Sequence, residues 1–515
     1  MAPSAAQPAA SGLPAGADEG LDRSTWIVAG VVLLGAVMSI LDTTVVNVAI
    51  DRLAIDFNTS LTTIQWVVTG YTLALAAVIP MSGWAADRFG TKRIYIASLA
   101  LFMVGSILSG LAWSAGSLIA FRVLQGIGGG MIMPAVMTIM TKKAGPARMG
   151  RVMGVLGVPM LVAPILGPIL GGWLVDDVSW RWIFFINVPI GIVAIALAYI
   201  VLEPDQSQRG HRLDWLGMAL LSPGLTALIF GLAESSSGGF GATKSWLPIV
   251  AGIAAIAAFF WHSWRTGAPL IDIRTFTQTR AGASAVTFML FAIAFFGAML
   301  LMPLYFQTVR GASALEAGLL LVPQGLGAMI TMPLAGKLTD RYGPSKWPVV
   351  GIPLLVIGIL PFAFVTAHTS YVLLLSFSFV LGLGMGFSMM PTMTAAMQAV
   401  PAAAIARTST AMNIIRQAGA SIGTAILSVL LSSAISDNLN GLGSRSGESG
   451  FGQLQHLPPA LQQKVSEPIA EAFAQTFVWA VILLALAFIP ALWMALKARG
   501  EGAPATQAHP VAALE

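Results

Sequence analysis

The 515-residue chain contains no cysteine and only five histidines. The absence of cysteine excludes disulfides, thiol catalysis and thiolate metal sites, and five histidines leave little for a metal centre. Charged residues make up 10% of the chain, whereas soluble domains carry about 25%. The chain also lacks an ATP-binding glycine loop and a zinc-protease helix motif. We therefore expect neither nucleotide hydrolysis nor another enzymatic activity.

Long apolar segments take the place of the missing charge. Hydrophobic residues account for 56% of the chain, and the mean hydropathy is +0.81. Segments of about 20 apolar residues cross a bilayer as helices. We predict an all-α polytopic membrane protein with fourteen spans, at roughly 26–50, 62–82, 94–113, 117–140, 152–175, 182–202, 213–233, 246–264, 282–308, 315–336, 347–366, 371–396, 408–435 and 472–496.

Positive charge predicts the orientation of these spans. With both termini in the cytoplasm, 19 of the 27 Lys and Arg residues lie inside, six lie outside and two lie within spans. Because cytoplasmic loops are enriched in Lys and Arg, we place both termini in the cytoplasm of a multi-pass protein of the cell (inner or plasma) membrane. Residues 1–25 lack the pattern of a signal peptide, and we interpret 1–25 and 497–515 as disordered cytoplasmic tails.

A short motif occurs twice, 253 residues apart. Gly83-x3-Asp87-Arg88-x-Gly90 matches Gly336-x3-Asp340-Arg341-x-Gly343, each in a predicted cytoplasmic loop after the second span of a bundle. Glycine-rich runs at 126–130 and 382–386 follow the two motifs at similar distances. The repeat predicts two related six-helix bundles, with a binding site between them near the bilayer midplane.

The repeat divides the chain into five parts. They are the tail 1–25, an N-terminal bundle 26–202, an inserted two-helix hairpin with linkers 203–281, a C-terminal bundle 282–496 and the tail 497–515. The C-terminal bundle contains a polar outer loop at 436–470, which is either a plain connector or lid, or a segment that gates the substrate path.

Asp42 is the only acidic residue well inside a predicted span. A carboxyl group in hydrocarbon is costly and marks a functional site. Asp42 is our candidate proton carrier, and Arg122, inside the fourth span, is the candidate cation that changes its proton affinity. The alternatives are a static carboxyl group held by Thr43, Thr44 or backbone, and an arginine that only forms a buried ion pair or binds carbonyls.

The two copies differ in their ionisable residues. Arg122 lies opposite Ser378 or Phe379 in the second copy, and the ninth span has no acidic counterpart of Asp42. We therefore expect the N-terminal bundle to handle the coupling ion and the C-terminal bundle mainly to shape the cavity.

Two further groups of residues are candidates for conformational change and for substrate contact. Glycines and prolines permit turns, kinks and close helix packing, and Asp87 is expected to contact a helix end in the opposite half. The conformational candidates are Gly83, Asp87, Arg88, Gly90, Arg93, Gly167, Pro168, Gly171, Gly172, Asp340 and Arg341.

The substrate-cavity candidates are polar, aromatic or methionine side chains within spans. Aromatic and methionine side chains suit a promiscuous pocket, although a methionine at helical spacing is also ordinary packing. These candidates are Asn47, Gln65, Trp66, Tyr71, Gln125, Tyr305, Gln307, Gln324, Met385, Met389, Met393, Asn413, Arg416 and Gln417. A cavity-facing Arg416 would favour anionic or zwitterionic substrates; alternatively it pairs with a carbonyl.

Five motifs in order resemble the major facilitator superfamily, and specifically its fourteen-helix drug:proton antiporter branch. They are Leu41–Ala49 in span 1, Gly83–Arg93 after span 2, Arg122–Gly126 in span 4, Gly167–Gly172 in span 5 and Trp180–Pro189 at the start of span 6. The resemblance covers about 26–500.

The resemblance implies export of amphipathic drugs or related hydrophobic compounds in exchange for protons. An alternative is export of one dedicated compound, such as a lipid, an antibiotic or a siderophore. Some relatives that export organic cations carry further acids in spans 2, 10 or 13. Those spans have none here apart from Glu316 at the mouth of span 10, so we do not expect a strong preference for divalent cations. We expect protons and membrane lipids as the other partners, no cofactor, metal or nucleic acid, and a monomer.

Overall fold

The structure, a computed structural model, describes residues 22–145, 148–204, 213–277, 279–401, 404–440 and 459–500. Long helices form nearly all of these residues, and the described part contains no β-strand. The membrane helices, numbered in chain order, are α1 Arg23–Val48, α2 Leu61–Phe89, α3 Thr91–Gly110, α4 Ala115–Ala144, α5 Met149–Trp173, α6 Asn187–Val201, α7 Trp215–Gly238, α8 Thr243–Arg265, α9 Thr279–Thr308, α10 Val322–Tyr342, α11 Trp347–Ile359, α12 Tyr371–Gln398, α13 Ile405–Asn440 and α14 Pro459–Gly500.

The helix count agrees with the fourteen predicted spans. Thirteen helical segments among the described residues are long and apolar enough to cross a membrane. The fourteenth is α5, which has 25 residues and a single charged side chain, Arg151. Short helices at Ile50–Asp56, Trp182–Phe185 and Ala314–Leu320 flank α1, α6 and α10.

Polar side chains mark where several helices begin. Ser60 accepts a hydrogen bond from the backbone N–H of Thr63 at the start of α2. Ser114 and Ser117 form a reciprocal capping box at the start of α4. Asp214 accepts from the backbone N–H of Gly217 in α7 at 2.8 Å and also contacts His262 at the end of α8, at 2.8 Å. Asp214 thereby connects the two helices of the hairpin.

The two bundles are built by the same helix contacts. In the N-terminal half α4 packs on α2 and α3, and α1 packs on α5 and α6. In the C-terminal half α12 packs on α10 and α11, and α9 packs on α13 and α14. Each helix of the first half therefore corresponds to the helix eight places later, as the sequence repeat predicts.

The glycine-rich runs explain how these helices come so close together. A Cβ atom on Gly126 would lie 2.5 Å from the carbonyl oxygen of Tyr71 in α2, and one on Gly128 would lie 2.5 Å from the backbone nitrogen of Phe102 in α3. In the second copy a Cβ atom on Gly382 would meet the carbonyl of Gln324 in α10. The runs are helix-packing surfaces, in which only glycine fits.

The halves meet along two equivalent seams. Helix α5 packs on α10, and α2 packs on α13. The hairpin α7–α8 lies beside the second seam, because α7 contacts both α2 and α13. We call the end of the bundle at which α1 begins and α14 finishes the terminal end, and the opposite end the distal end.

Several boundaries differ from those predicted. The repeated motifs do not lie in loops: Gly83–Phe89 belongs to α2 and Gly336–Tyr342 to α10, and only Gly90 (φ 88°) and Gly343 (φ 84°) have the turn conformation. Gly83 was predicted to form a turn but lies inside a helix. The predicted loop 436–470 is partly helical, because α13 continues to Asn440 and α14 begins at Pro459.

The predicted tails lie largely outside the described residues, which start at residue 22 and finish at residue 500. Residues 23–25 and 497–500, assigned to the tails, belong to α1 and α14. Residues 205–212 and 441–458, within the predicted linker and outer loop, are also outside the described residues.

Candidate functional site

The only buried ion pair at membrane depth in the described structure joins α1 to α4. Asp42 is 1% exposed and Arg122 is 0% exposed. Their Oδ2 and Nη1 atoms are 2.5 Å apart. Sequence reasoning proposed both residues but left open whether they meet. The structure shows that they do.

Two amides complete the hydrogen bonding of the carboxylate. Gln125 donates from Nε2 to Asp42 Oδ1 at 2.9 Å. The Oε1 atom of the same amide accepts a hydrogen bond from Arg122 Nη1, also at 2.9 Å. Asn187 Nδ2 donates to the same Asp42 oxygen at 3.1 Å. Asp42 thus accepts three hydrogen bonds, one from Arg122 and two from the amides.

The guanidinium group of Arg122 is held by aromatic and backbone groups as well. Its centre lies 4.1 Å from the centre of the Tyr71 ring and 5.7 Å from that of Phe184. Its Nε atom donates to the carbonyl oxygen of Val67 at 3.3 Å. Stacking on aromatic rings stabilises a desolvated cation. Arg122 is therefore fixed in position even if Asp42 changes its charge.

Asn187 and Ser106 were not among the predicted site residues. Asn187 Nδ2 also donates to Ser106 Oγ at 3.1 Å, and Ser106 Oγ donates to the carbonyl of Phe184 at 2.8 Å. The Oδ1 atom of Asn187 is buried without a hydrogen-bond partner in the described structure. The sequence could have pointed to Asn187, because it is the one side-chain amide in the Trp180–Pro189 motif.

The chemistry available to this cluster follows from its burial. A paired carboxylate and guanidinium have no net charge, whereas protonation of Asp42 would leave Arg122 as an uncompensated buried cation. Such a charge is costly unless water, substrate or a new helix arrangement compensates it. The cluster can therefore link the charge of Asp42 to the arrangement of the surrounding helices.

Acidic residues close the terminal end of both seams. Asp340 in α10 accepts hydrogen bonds from the backbone N–H groups of Gly150 and Arg151, at 2.7 and 3.1 Å, at the start of α5. The Arg151 Nε atom lies 3.6 Å from Asp340 Oδ2. A carboxylate at a helix N-terminus is stabilised by the unpaired N–H groups and the helix dipole. Asp340 therefore joins the two halves.

Asp87 occupies the equivalent place in the first copy. Its Oδ2 atom lies 3.5 Å from Arg407 Nε at the start of α13. Ser82 Oγ and Thr410 Oγ1 are 3.0 Å apart, and a Cβ atom on Gly83 would lie 2.9 Å from Thr410 Oγ1. The predicted contact of Asp87 with a helix end of the opposite half is present, and both seams are closed at the terminal end.

The remaining basic residues of the motifs differ in exposure. Arg93 and Arg341 are exposed, and Arg88 is half-buried. Lys92 Nζ donates to the carbonyl of Tyr199 at 2.7 Å and to that of Leu202, and so caps the end of α6.

The glycines predicted in α5 divide into two groups. A Cβ atom on Gly167 would overlap the Thr44 hydroxyl, and one on Gly171 would lie 3.0 Å from the Val45 carbonyl oxygen, so these two permit contact with α1. Gly172 faces open space. The side chain of Pro168 lies outside the described residues.

The structure shows the surroundings of several of the predicted cavity residues. Tyr71 and Gln125 belong to the Asp42 cluster. Tyr305 is fully buried, and its hydroxyl donates to the Thr366 carbonyl at 2.8 Å near the distal end. Trp66 packs on Phe230 of the hairpin, with ring centres 5.8 Å apart, and lines a largely apolar groove of about 480 Å³ there. The contacts of these four side chains are with the protein itself.

The other cavity candidates occupy varied positions. Asn47 and Gln65 are exposed, Gln307, Arg416 and Gln417 are half-buried, and Gln324 is buried. Asn413 is buried and donates to the carbonyl of Ser409 in its own helix at 3.0 Å. Met385, Met389 and Met393 belong to the large apolar core.

The fold is that of a polytopic helical membrane protein, and the family match and relatives given next identify a secondary transporter, not an enzyme. Residues 32–424 match the family model of the Major Facilitator Superfamily, and the chain belongs to this family.

Named relatives extend over most of the chain. It is 43% identical over 493 residues to the "Multidrug resistance protein B homolog" of Mycobacterium tuberculosis (strain ATCC 25618 / H37Rv), covering 93% of this chain and 90% of the relative. It is 30% identical over 419 residues to the "Tetracenomycin C resistance and export protein" of Streptomyces glaucescens, covering 81% and 78%.

A solved structure shares the fold. The crystal structure of the human organic anion transporter MFSD10 (TETRAN) aligns with a TM-score of 0.58 and 14% identity. The alignment covers 90% of this chain and 100% of that chain. At this identity the likeness concerns the fold alone.

Proposed function

We propose that the protein exports amphipathic drugs or related hydrophobic compounds across the cell membrane in exchange for protons. The observation that carries the proposal is the buried Asp42–Arg122 pair, with its two amide donors, in a family of secondary transporters. Two relatives, named as a multidrug resistance protein homolog and as a tetracenomycin C resistance and export protein, support efflux as the direction.

The proposed cycle uses two arrangements of the seams. The structure is closed at the terminal end, which the excess of Lys and Arg assigns to the cytoplasm. In the proposed cycle Asp42, which is buried in this arrangement, takes up its proton from the distal side. Protonation removes the partner of Arg122, and the resulting uncompensated charge favours separation of the seams. Substrate then enters from the cytoplasm, and Asp42 releases its proton there.

The driving force is sufficient for efflux. One charge moving across 100 mV corresponds to about 2.3 kcal/mol. At roughly 150 mV one proton therefore supplies about 3.5 kcal/mol, which sustains a several-hundred-fold gradient of a neutral solute. No ATP-binding motif is needed for transport of this kind.

Everted membrane vesicles with an acid interior test the proposal. Adding an exported compound to wild-type vesicles is expected to release protons from the interior, measured with a pH-sensitive dye. Asp42→Asn is expected to abolish this release. Asp177→Asn is the matched control, since Asp177 is exposed at the distal end. Equal release from wild type and Asp42→Asn would contradict a carrier role for Asp42.

The tetracenomycin C relative favours a second candidate, a transporter dedicated to one compound. A panel of unrelated amphipathic compounds distinguishes the two, because a dedicated transporter would release protons with one chemical class only.

A further inference from the structure

One charged residue within the spans is not used by the proton site. Away from the ends of the predicted spans, the charged residues are Asp42, Arg122 and Arg416. Asp42 is already paired with Arg122. Arg416, in α13, therefore has no fixed counter-charge at its depth in the membrane.

Arg416 also lacks a neutral partner. Among the described residues it forms no hydrogen bond, ion pair or ring contact. Arg310, by comparison, donates to the carbonyl of Thr369 at 2.6 Å and stacks on Tyr371. The carbonyl-paired alternative for Arg416 is thus not seen. Its five N–H groups can all be used by another molecule.

The position of Arg416 on α13 places it inside the protein. Met412 and Gly419, about one turn away on either side, are buried, and Gly419 packs against Ala292 of α9. Ala411 and Ile414 face the inserted hairpin. At 3.6 residues per turn Arg416 points roughly 140–160° away from them. The half-buried guanidinium group therefore extends from a packed interface into the interior, away from the hairpin.

The depth of Arg416 lies between the closed terminal end and the proton site. Arg416 is about 9 Å along α13 from Thr410, which contacts Ser82 at the terminal end. Tyr71, which stacks on Arg122, is about 16 Å along α2 from Ser82. A molecule held at Arg416 would therefore lie nearer the terminal end than the Asp42 cluster, within the substrate path of the proposed cycle.

Buried apolar side chains of the same half lie in α9 and α12, the helices that would have to separate to admit a substrate. Met389 and Met393 share one hydrophobic cluster with Phe288 and Phe291 of α9, whose rings stack with centres 6.1 Å apart. Methionine and aromatic side chains adapt to varied apolar shapes. An unpaired guanidinium group in a half that is rich in such side chains is complementary to a molecule with an apolar body and an anionic head.

We propose that Arg416 binds the anionic head group, such as a carboxylate, of the transported compound, so that amphipathic weak acids are preferred substrates. This inference rests on the proposed efflux function and specifies its substrate class. Exchange of one monovalent anion for one proton moves two charges across the membrane, against one for a neutral compound and none for a monovalent cation. Anion export is therefore driven most strongly by the membrane potential.

Equilibrium binding to the purified full-length protein tests the proposal without a proton gradient. The probes are 1-naphthylacetate and its neutral amide, compared by isothermal titration calorimetry. The wild type is expected to bind the anion about tenfold to a hundredfold more tightly than the amide, because a charge-assisted hydrogen bond contributes that much. Arg416→Gln is expected to remove this preference and leave amide binding unchanged, and Arg416→Lys is expected to keep part of it.

Lys244→Gln is the matched control, because Lys244 is an exposed cation at the distal end of the hairpin. It should retain the wild-type preference. Arg416→Gln is also expected to keep or raise the apparent Tm, since it removes an unpaired charge. Equal anion and amide binding by the wild type, an unchanged preference in Arg416→Gln, or a lowered Tm would overturn the proposal. Because binding needs no coupling, a failure of proton release would not be mistaken for any of these outcomes.

Discussion

The two halves of the molecule share a scaffold but differ in their polar chemistry. The equivalent contacts of Gly126 and Gly382 align Arg122 with Ser378 and Gln125 with Leu381. The first half therefore has an ion pair where the second has a hydroxyl group, buried without a partner in the described structure, and a leucine. A single titratable pair is enough for coupling, and a second would add another desolvation cost.

At the terminal end the two halves are alike, because each has an acidic residue there. Asp87 contacts the start of α13, and Asp340 contacts the start of α5. Each acid holds one seam closed. Both halves thus contribute an acid to the closed seams, whereas in the proposed cycle only the first half carries the proton.

The largest effect expected from this comparison is that of Arg122→Gln. The variant leaves Asp42 buried without its cation, so we expect loss of compound-induced proton release in everted vesicles, by about a hundredfold or more. Arg416→Gln removes a half-buried arginine from the other half and should retain release with neutral compounds. If both variants lost release equally, the division of roles between the halves would be wrong.

Matched glycine substitutions test whether the helices of the two halves pack in the same way. Gly126→Ala and Gly382→Ala each place a methyl group against a backbone carbonyl, so each should destabilise the protein by about 1–3 kcal/mol. Thermal unfolding of the purified variants measures this as a lowered apparent Tm. Gly172→Ala, where nothing lies within 4 Å, should leave the Tm unchanged. A strong loss for only one of the two glycines would show that the halves are not packed alike.

Closure of the terminal end is tested by cross-linking. Because the chain has no cysteine, a Ser82→Cys/Thr410→Cys pair is the only pair that can react. We expect efficient disulfide formation, and about a tenfold lower rate when Asp340→Asn weakens the other seam, since a charged acceptor is lost. Asp177→Asn should have no effect. An unchanged rate in Asp340→Asn would indicate that the two seams open independently.

The smallest expected effect is that of Asn187→Ala. It removes one donor to Asp42, a contribution of about 0.5–1.5 kcal/mol, and should lower proton-coupled transport about threefold to tenfold. Initial rates in reconstituted vesicles measure this. Ser106→Ala, which removes a group bound by Asn187 but not by Asp42, should have a weaker effect. Full activity in Asn187→Ala would remove this amide from the site.

Most of the fold was predictable because membrane spans are continuous apolar runs. The fourteen spans and the repeat followed from hydropathy and from the spacing of Gly83–Gly90 and Gly336–Gly343. The ends of the helices could not be predicted from hydropathy, since backbone hydrogen bonding continues α2 and α10 through charged residues up to Gly90 and Gly343. The same reason explains why α13 and α14 extend into the predicted outer loop.

The candidate site was predictable where one residue is exceptional for its surroundings. Asp42 and Arg122 are charged residues inside apolar spans. Asn187 was missed because its role depends on how α6 packs against α1. The contacts of Trp66 and Tyr305 could not be predicted, because an aromatic side chain in a span does not reveal which face of its helix meets lipid, protein or substrate.

The most direct test of the account is proton release from the purified protein in weakly buffered detergent solution on addition of an exported compound. The account predicts that binding releases up to one proton per protein molecule from the wild type at a pH where Asp42 is protonated before binding. It predicts none from Asp42→Asn, although the compound still binds. Equal proton release from both proteins would contradict the assignment of Asp42 as the proton carrier.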